Sequence, residues 1–167
     1  VVEDNRIDAQ KVVDALDRDG ASSDIVATVA EANERLKMAA YELLVVSLRL
    51  KSGDVLRFCS HVRAADATRH TPMLLTVEED DTERLAKALD IGINDYLIKP
   101  IDKQELQARV RTQIRRQRYQ DRLRENYERS LAMALTDSLT GLYNRRYLTA
   151  HLSGLVDRVR ASGKPLE

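Results

Sequence analysis

Short apolar runs rich in Val, Ile and Leu alternate with amphipathic stretches along the first hundred or so positions of this chain. That alternation predicts repeated βα units and therefore a parallel sheet. Val1-Val2 reads as the tail of a strand whose first residues are missing, as if cut from a longer chain. A helix with Ile7, Val12, Val13 and Leu16 at helical spacing follows, ended by Gly20. Ile25, Ala27 and Val29 alternate as a second strand does, and a second helix is expected over 31–40. Leu43-Leu44-Val45-Val46 makes the third strand. Gly53-Asp54 then supplies a turn and an N-cap for a third helix holding Leu56, Phe58, Cys59 and Val62. Met73-Leu74-Leu75 is the fourth strand, 80–89 the fourth helix, Asp95 to Ile98 the fifth strand, and Lys103 opens a fifth helix.

That last helix meets no breaker between Pro100 and Gly141, and Leu106, Val110, Ile114, Leu123, Tyr127 and Leu131 recur along it every third or fourth residue or a multiple of that. It is too long for one small domain. Its exit half is expected to form a stalk or a coiled-coil seam, turning polar at Gln117 and Gln120. The expected division is a domain over 1–116, a helical stalk over 117–136 and the start of a further domain over 137–167.

Composition narrows the classes. With 43% apolar and 32% charged residues over 167 positions, the chain can bury its own core. Lys plus Arg and Asp plus Glu number 27 each, so a generic nucleic-acid or anionic-membrane binder is disfavoured. The arginines of the last helix (109, 111, 115, 116, 118, 122, 124, 129) read as a solvated face with charge pairs rather than a nucleic-acid surface. A single Cys59 forms no internal disulfide and fits a reducing, cytoplasmic setting. No apolar run approaches the roughly 20 residues of a membrane span, and nothing at the start reads as a signal peptide.

In an open parallel sheet, chemistry collects at the carboxyl ends of the strands. Glu3 and Asp4, Ser47, Thr76, and Lys99-Pro100 stand there in order. This series, with Tyr96 three residues before Lys99 and Gly92 and Asp95 leading into the fifth strand, resembles the receiver domain of two-component response regulators. The resemblance implies a flavodoxin-like (CheY-like) fold, a metal-binding role for Glu3 and Asp4, switch roles for Thr76 and Tyr96, and a cis bond before Pro100. It also implies an aspartate where this chain has Ser47. A serine hydroxyl, protonated and without a base nearby, neither attacks a phosphoryl group nor ligates Mg²⁺ well. The acceptor is therefore degenerate, no cofactor is required, and any Mg²⁺ at Glu3 and Asp4 is expected to bind weakly. Lys99 is expected to pair with Asp4 or bond the Ser47 hydroxyl.

Plainer readings stand beside these. Glu3 and Asp4 can cap the first helix, Thr76 can be satisfied locally, Tyr96 can simply pack, and Asp54 can be only an N-cap. The alternative function is a phosphorylatable receiver using Asp54 or Ser47 with Mg²⁺.

The words Asp137-Ser138-Leu139-Thr140-Gly141-Leu142-Tyr143-Asn144-Arg145-Arg146 end the long helix, permit a tight turn, and introduce an amphipathic helix through Tyr147, Leu148, Leu152, Leu155 and Val159. They resemble the D-x-L-T-G-L-x-N-R-R entry motif of GGDEF-type diguanylate cyclase domains, which join two GTP molecules into cyclic di-GMP. The metal-binding aspartates and the nucleotide-gripping turn of that family lie beyond 163–165, so this fragment is not expected to be an enzyme. Receiver, stalk and cyclase entry together resemble the second, adaptor receiver of PleD-type regulators. The expectation is a non-catalytic homodimerising adaptor between an upstream receiver and a downstream GGDEF domain, without nucleic acid or membrane insertion.

Overall fold

The computed structural model describes residues 1–17, 20–137, 140, 142–145, 147–149 and 151–153. Eight elements follow one another: α1 (Arg6–Asp17), α2 (Val29–Met38), β1 (Leu44–Ser47), α3 (Val55–Ala64), β2 (Met73–Val77), α4 (Thr82–Ile91), β3 (Asp95–Ile98) and α5 (Lys103–Leu135). The strands pair in parallel in the order β1-β2-β3. Leu44 faces Met73 and Ser47 faces Thr76 across one pair, and Leu74 faces Asp95 and Thr76 faces Leu97 across the other.

Five strands were expected and three form. The other two shrink to single parallel bridges, Val2 with Val46 and Val26 with Val2. Four backbone bonds still hold them in sheet order: Val2 N to Val45 O (2.8 Å), Ser47 N to Val2 O (2.9 Å), Glu3 N to Val26 O (3.0 Å) and Val26 N to Val1 O (2.9 Å). The physical reason is local. Beyond Val26 the Ala27 amide donates to Glu31 Oε2 at 2.9 Å and the Glu31 amide to Thr28 Oγ1 at 3.1 Å. This reciprocal cap starts α2 at Val29 and so ends the extended run at Thr28. On the other side of Val2, Asn5 bends the chain into α1, accepting the Ile7 amide at 3.0 Å.

Alternation along the strands sorts the core into two layers. Leu44, Val46, Met73, Leu75 and Val77 pack with Val55, Phe58, Cys59 and Val62 of α3, Ala32 of α2 and Ala88 of α4. Val45, Leu74 and Leu97 point the other way, onto Val12, Ala15 and Leu16 of α1 and Leu106 and Val110 of α5. The first apolar positions of the long helix therefore belong to the domain core, whereas Leu123, Tyr127 and Leu131 are exposed. Arg63 ties the far end of the sheet: its guanidinium donates to Gly92 O (2.8 Å), Arg69 O (3.0 Å), Thr71 O (2.7 Å) and Asn94 Oδ1 (2.6 Å).

The chain divides into two compact units, Val1–Tyr119 and Gln120–Glu167. Among the described residues, no helix is long and apolar enough to cross a membrane.

Candidate functional site

Parallel pairing brings the carboxyl ends of the strands to one edge of the first unit. Ser47 closes β1 with Thr76 beside it in register, and each is only 2% exposed. The Thr76 hydroxyl has no hydrogen-bond partner among the described residues. Tyr96, on β3, is half-buried against the core layer that holds Met73 and Leu75. The Lys99–Pro100 bond is cis, and the Lys99 amide donates to Val77 O at 2.8 Å.

Lys99 dominates the electrostatics of this edge. Its ammonium lies 3.0 Å from Glu3 Oε2, 3.0 Å from Asp8 Oδ2 and 3.6 Å from Glu78 Oε1. The expected partners, Asp4 and the Ser47 hydroxyl, are not among those that pair with it. Asp4 is drawn away because its Oδ2 accepts the Lys51 amide at 2.9 Å, while Asp8 comes within reach from the first turn of α1. Burial alone would lower the Lys99 ammonium, but bonds to Asp8 and Glu3 outweigh it and hold it above the ordinary lysine value. For Asp8, burial pushes upward, and the Lys99 and Lys11 ammonium groups together hold the carboxyl below its usual range.

Asp8 lies off the strand ends, and Glu78 follows a strand that runs two residues past its expected end at Leu75. The available signal is spacing: Asp8 stands one helical turn past the Asp4-Asn5 bend, and Glu78 is the first residue after β2. A second brace also went unread. Arg49, two residues past Ser47, contacts Asp80 Oδ2 at 2.7 Å and Asp81 Oδ2 at 2.8 Å, linking the loops that leave β1 and β2.

A divalent cation finds a poor donor set here. Glu3 is engaged by Lys99 and by the Asn5 amide, which donates to Oε1 at 3.0 Å, and Asp4 is engaged by Lys51. Ser47 ends β1 with a hydroxyl, not a carboxylate. The described residues gather no group of three His, Cys, Asp or Glu side chains placed for a metal, so the residues present do not fit a resident Mg²⁺. Asp54, the alternative acceptor, is the N-cap of α3 and accepts the Arg57 amide at 3.2 Å.

In the second unit, Asp137 and Asn144 organise the turn after α5. Asp137 Oδ1 accepts both the amide and the hydroxyl of Thr140 at 3.0 Å. The Asp137 amide donates to Leu142 O and the Asn144 amide to Leu135 O, each at 2.7 Å, around a Thr136–Tyr143 bridge. Asn144 Oδ1 then accepts the Tyr147 amide at 2.9 Å, capping a helical segment that includes Arg145. Leu139, Gly141, Arg146, Leu155 and Val159 lie outside the described residues. Of the arginines along α5, Arg109 pairs with Asp95 (2.6 Å) and Glu105 (2.7 Å), and Arg118 with Glu42 (2.8 Å).

Comparison with known proteins agrees with this geometry. A family model described as response regulator receiver domain matches residues 1–111. The chain is 44% identical over 169 aligned positions to the response regulator PleD of Caulobacter vibrioides, covering 99% of this chain and 36% of that protein. It is 34% identical over 116 residues to the transcriptional regulatory protein BasR of Escherichia coli, covering 70% of this chain and 51% of that one. A solved two-component response regulator from Clostridium difficile superposes with a TM-score of 0.63 at 27% identity, over 69% of this chain and 93% of that one. The chain thus spans about a third of the length of PleD and half that of BasR.

Proposed function

Since the chain belongs to the response regulator receiver family, we propose that it is a receiver that has lost phosphoryl transfer and works as an adaptor in a PleD-like regulator. It relays dimerisation from an upstream phosphorylated receiver to a downstream GGDEF domain that makes cyclic di-GMP. The observation that carries this reading is Ser47: the hydroxyl stands buried at the end of β1, where a receiver needs a carboxylate. Lys99, which would otherwise face the acceptor, is committed to carboxylates. A domain with no ligand of its own still couples two sites if its contacts with a second copy differ between states. The helix α5, whose Leu123, Tyr127 and Leu131 are exposed, is the element that carries the coupling. The Asp137–Asn144 turn supports the cyclase side of the proposal, because Asp137, Thr140 and Asn144 occupy motif positions and fix the chain by side-chain bonds.

Light scattering over a concentration series, with and without Mg²⁺ and beryllofluoride, tests the reading. The expected mass is the same in both conditions at every concentration. Beryllofluoride-driven dimerisation would show a live acceptor, at Asp54 or elsewhere, and would overturn it.

A further inference from the structure

Arg49 stands in the loop that leaves β1, between Leu48, which is fully buried, and Leu50, which packs against the core layer of Leu44 and Val46. Its guanidinium meets two neighbouring carboxylates of the loop that leaves β2: Asp80 Oδ2 through Nη2 at 2.7 Å and Asp81 Oδ2 through Nε at 2.8 Å. The two carboxylates differ in kind. The Asp80 side chain is 73% exposed, so water screens its pair, whereas the Asp81 side chain is 6% exposed. Asp81 is the N-cap of α4, where a carboxylate ordinarily accepts an amide of the first turn, yet it makes no such bond, and its buried Oδ2 accepts no aligned hydrogen bond. A buried charge left without a counter-ion is costly, and Arg49 is the cation in contact with this one.

From this geometry we infer that Arg49 is a latch: it joins the start of α4 to the loop after β1, so that the two segments open and close as one unit. The backbone from which Arg49 reaches is itself fixed. The Leu48 amide donates to Thr76 O at 2.9 Å, one step past the end of β1, and on the far side of Arg49 the Lys51 amide donates to Asp4 Oδ2 at 2.9 Å. The loop after β1 is thus held from both flanks. Leu85, within the first turn of α4, packs against the same core layer as Leu50. A shift of α4 therefore either breaks the Arg49 contacts, leaving the buried Asp81 carboxylate without its cation, or draws the loop after β1 along with it. The inference does not rest on the adaptor reading: it concerns motion within a single chain, and its test involves neither assembly nor a phosphoryl analogue.

The experiment is amide hydrogen exchange, read residue by residue by NMR, on the full chain and its Arg49→Gln variant. The first turns of four helices supply the probes: the amide of Leu85 bonded to Asp81 O in α4, of Phe58 to Asp54 O in α3, of Ala32 to Thr28 O in α2 and of Leu106 to Asp102 O in α5. Exchange at Leu85 and Phe58 is expected to quicken together, on the order of tenfold, while Ala32 and Leu106 stay as they were. In an Asp81→Asn background, where the buried charge is gone, Arg49→Gln is expected to change Leu85 and Phe58 by less than about twofold. Should Arg49→Gln alone not fold, adding Asp81→Asn is expected to restore folding, and a double variant that stays unfolded overturns the inference. An unchanged Leu85 overturns it as well. So does quickening at Leu85 without Phe58, which would make Arg49 a support of α4 only, or equal quickening at all four probes, which would be a general loss of stability. An undiminished effect of Arg49→Gln in the Asp81→Asn background would also count against the latch.

Discussion

Gly53 shows how much a single position in the strand-end loops can demand. Its φ of +99° lies in the region open to glycine, and a Cβ built there would meet Val29 Cβ and Cγ2 at 3.2 Å. Strain and contact add, because Val29 opens α2 and is held by the cap at Thr28. Gly53→Ala is expected to destabilise the chain by roughly 1–3 kcal/mol in urea unfolding. Gly20 is the natural control: its φ is +75°, but nothing lies within 4 Å of an added Cβ. Gly20→Ala should therefore cost clearly less, and equal losses for the two variants would remove Val29 from the explanation.

At the scale of elements, the second of the five expected strands is cut short by Thr28 and Glu31. Ile25, Ala27 and Val29 alternate as a strand does, but the Thr-x-x-Glu spacing ending at Glu31 is also a helix start, and the cap wins because it satisfies two amides locally. The same competition explains why α2 begins two residues before its expected start. Where no such competitor exists, as in Leu44 to Val46 and Met73 to Leu75, the strands form where the apolar runs predict them and their alternation assigns each side chain to the observed layer. Thr28→Ala is expected to cost about 1 kcal/mol and to speed amide hydrogen exchange in the first turn of α2. Exchange unchanged at Glu31 would show that the Thr28 hydroxyl does not hold the cap.

Over the whole molecule, the residue types at the strand ends were legible in the sequence while their pairing was not. Glu3, Ser47, Thr76 and Lys99 could be placed by counting βα units, but choosing Asp8 over Asp4 as the partner of Lys99 required the path of the chain from Val2 into α1. The charges and buried groups also set how stability depends on pH. Asp8 is held below the ordinary carboxylate value, so its contribution is present above about pH 4 and is lost as pH falls through its folded value. Asp80 beside Arg49 and Glu83 beside Lys87 are lowered too, but solvent screens them and they add little. The alkaline side begins earlier than lysine would require. Burial pushes the fully buried Cys59 thiol up to about 11, so the folded state keeps it protonated after the unfolded chain has begun to lose that proton near pH 9. A group raised in this way stabilises below its unfolded value and loses that contribution as pH rises through the folded one, by roughly 3 kcal/mol over the interval. Lys99 and the exposed Tyr41, which is bonded to Asp24, are raised as well and extend the loss to higher pH. Urea midpoints measured against pH should therefore decline from about 9. In Cys59→Ala the onset of that decline should move upward by about one pH unit, because only the lysine and tyrosine contributions remain. An unchanged onset would mean that the thiol ionises as readily in the folded chain as in the unfolded one.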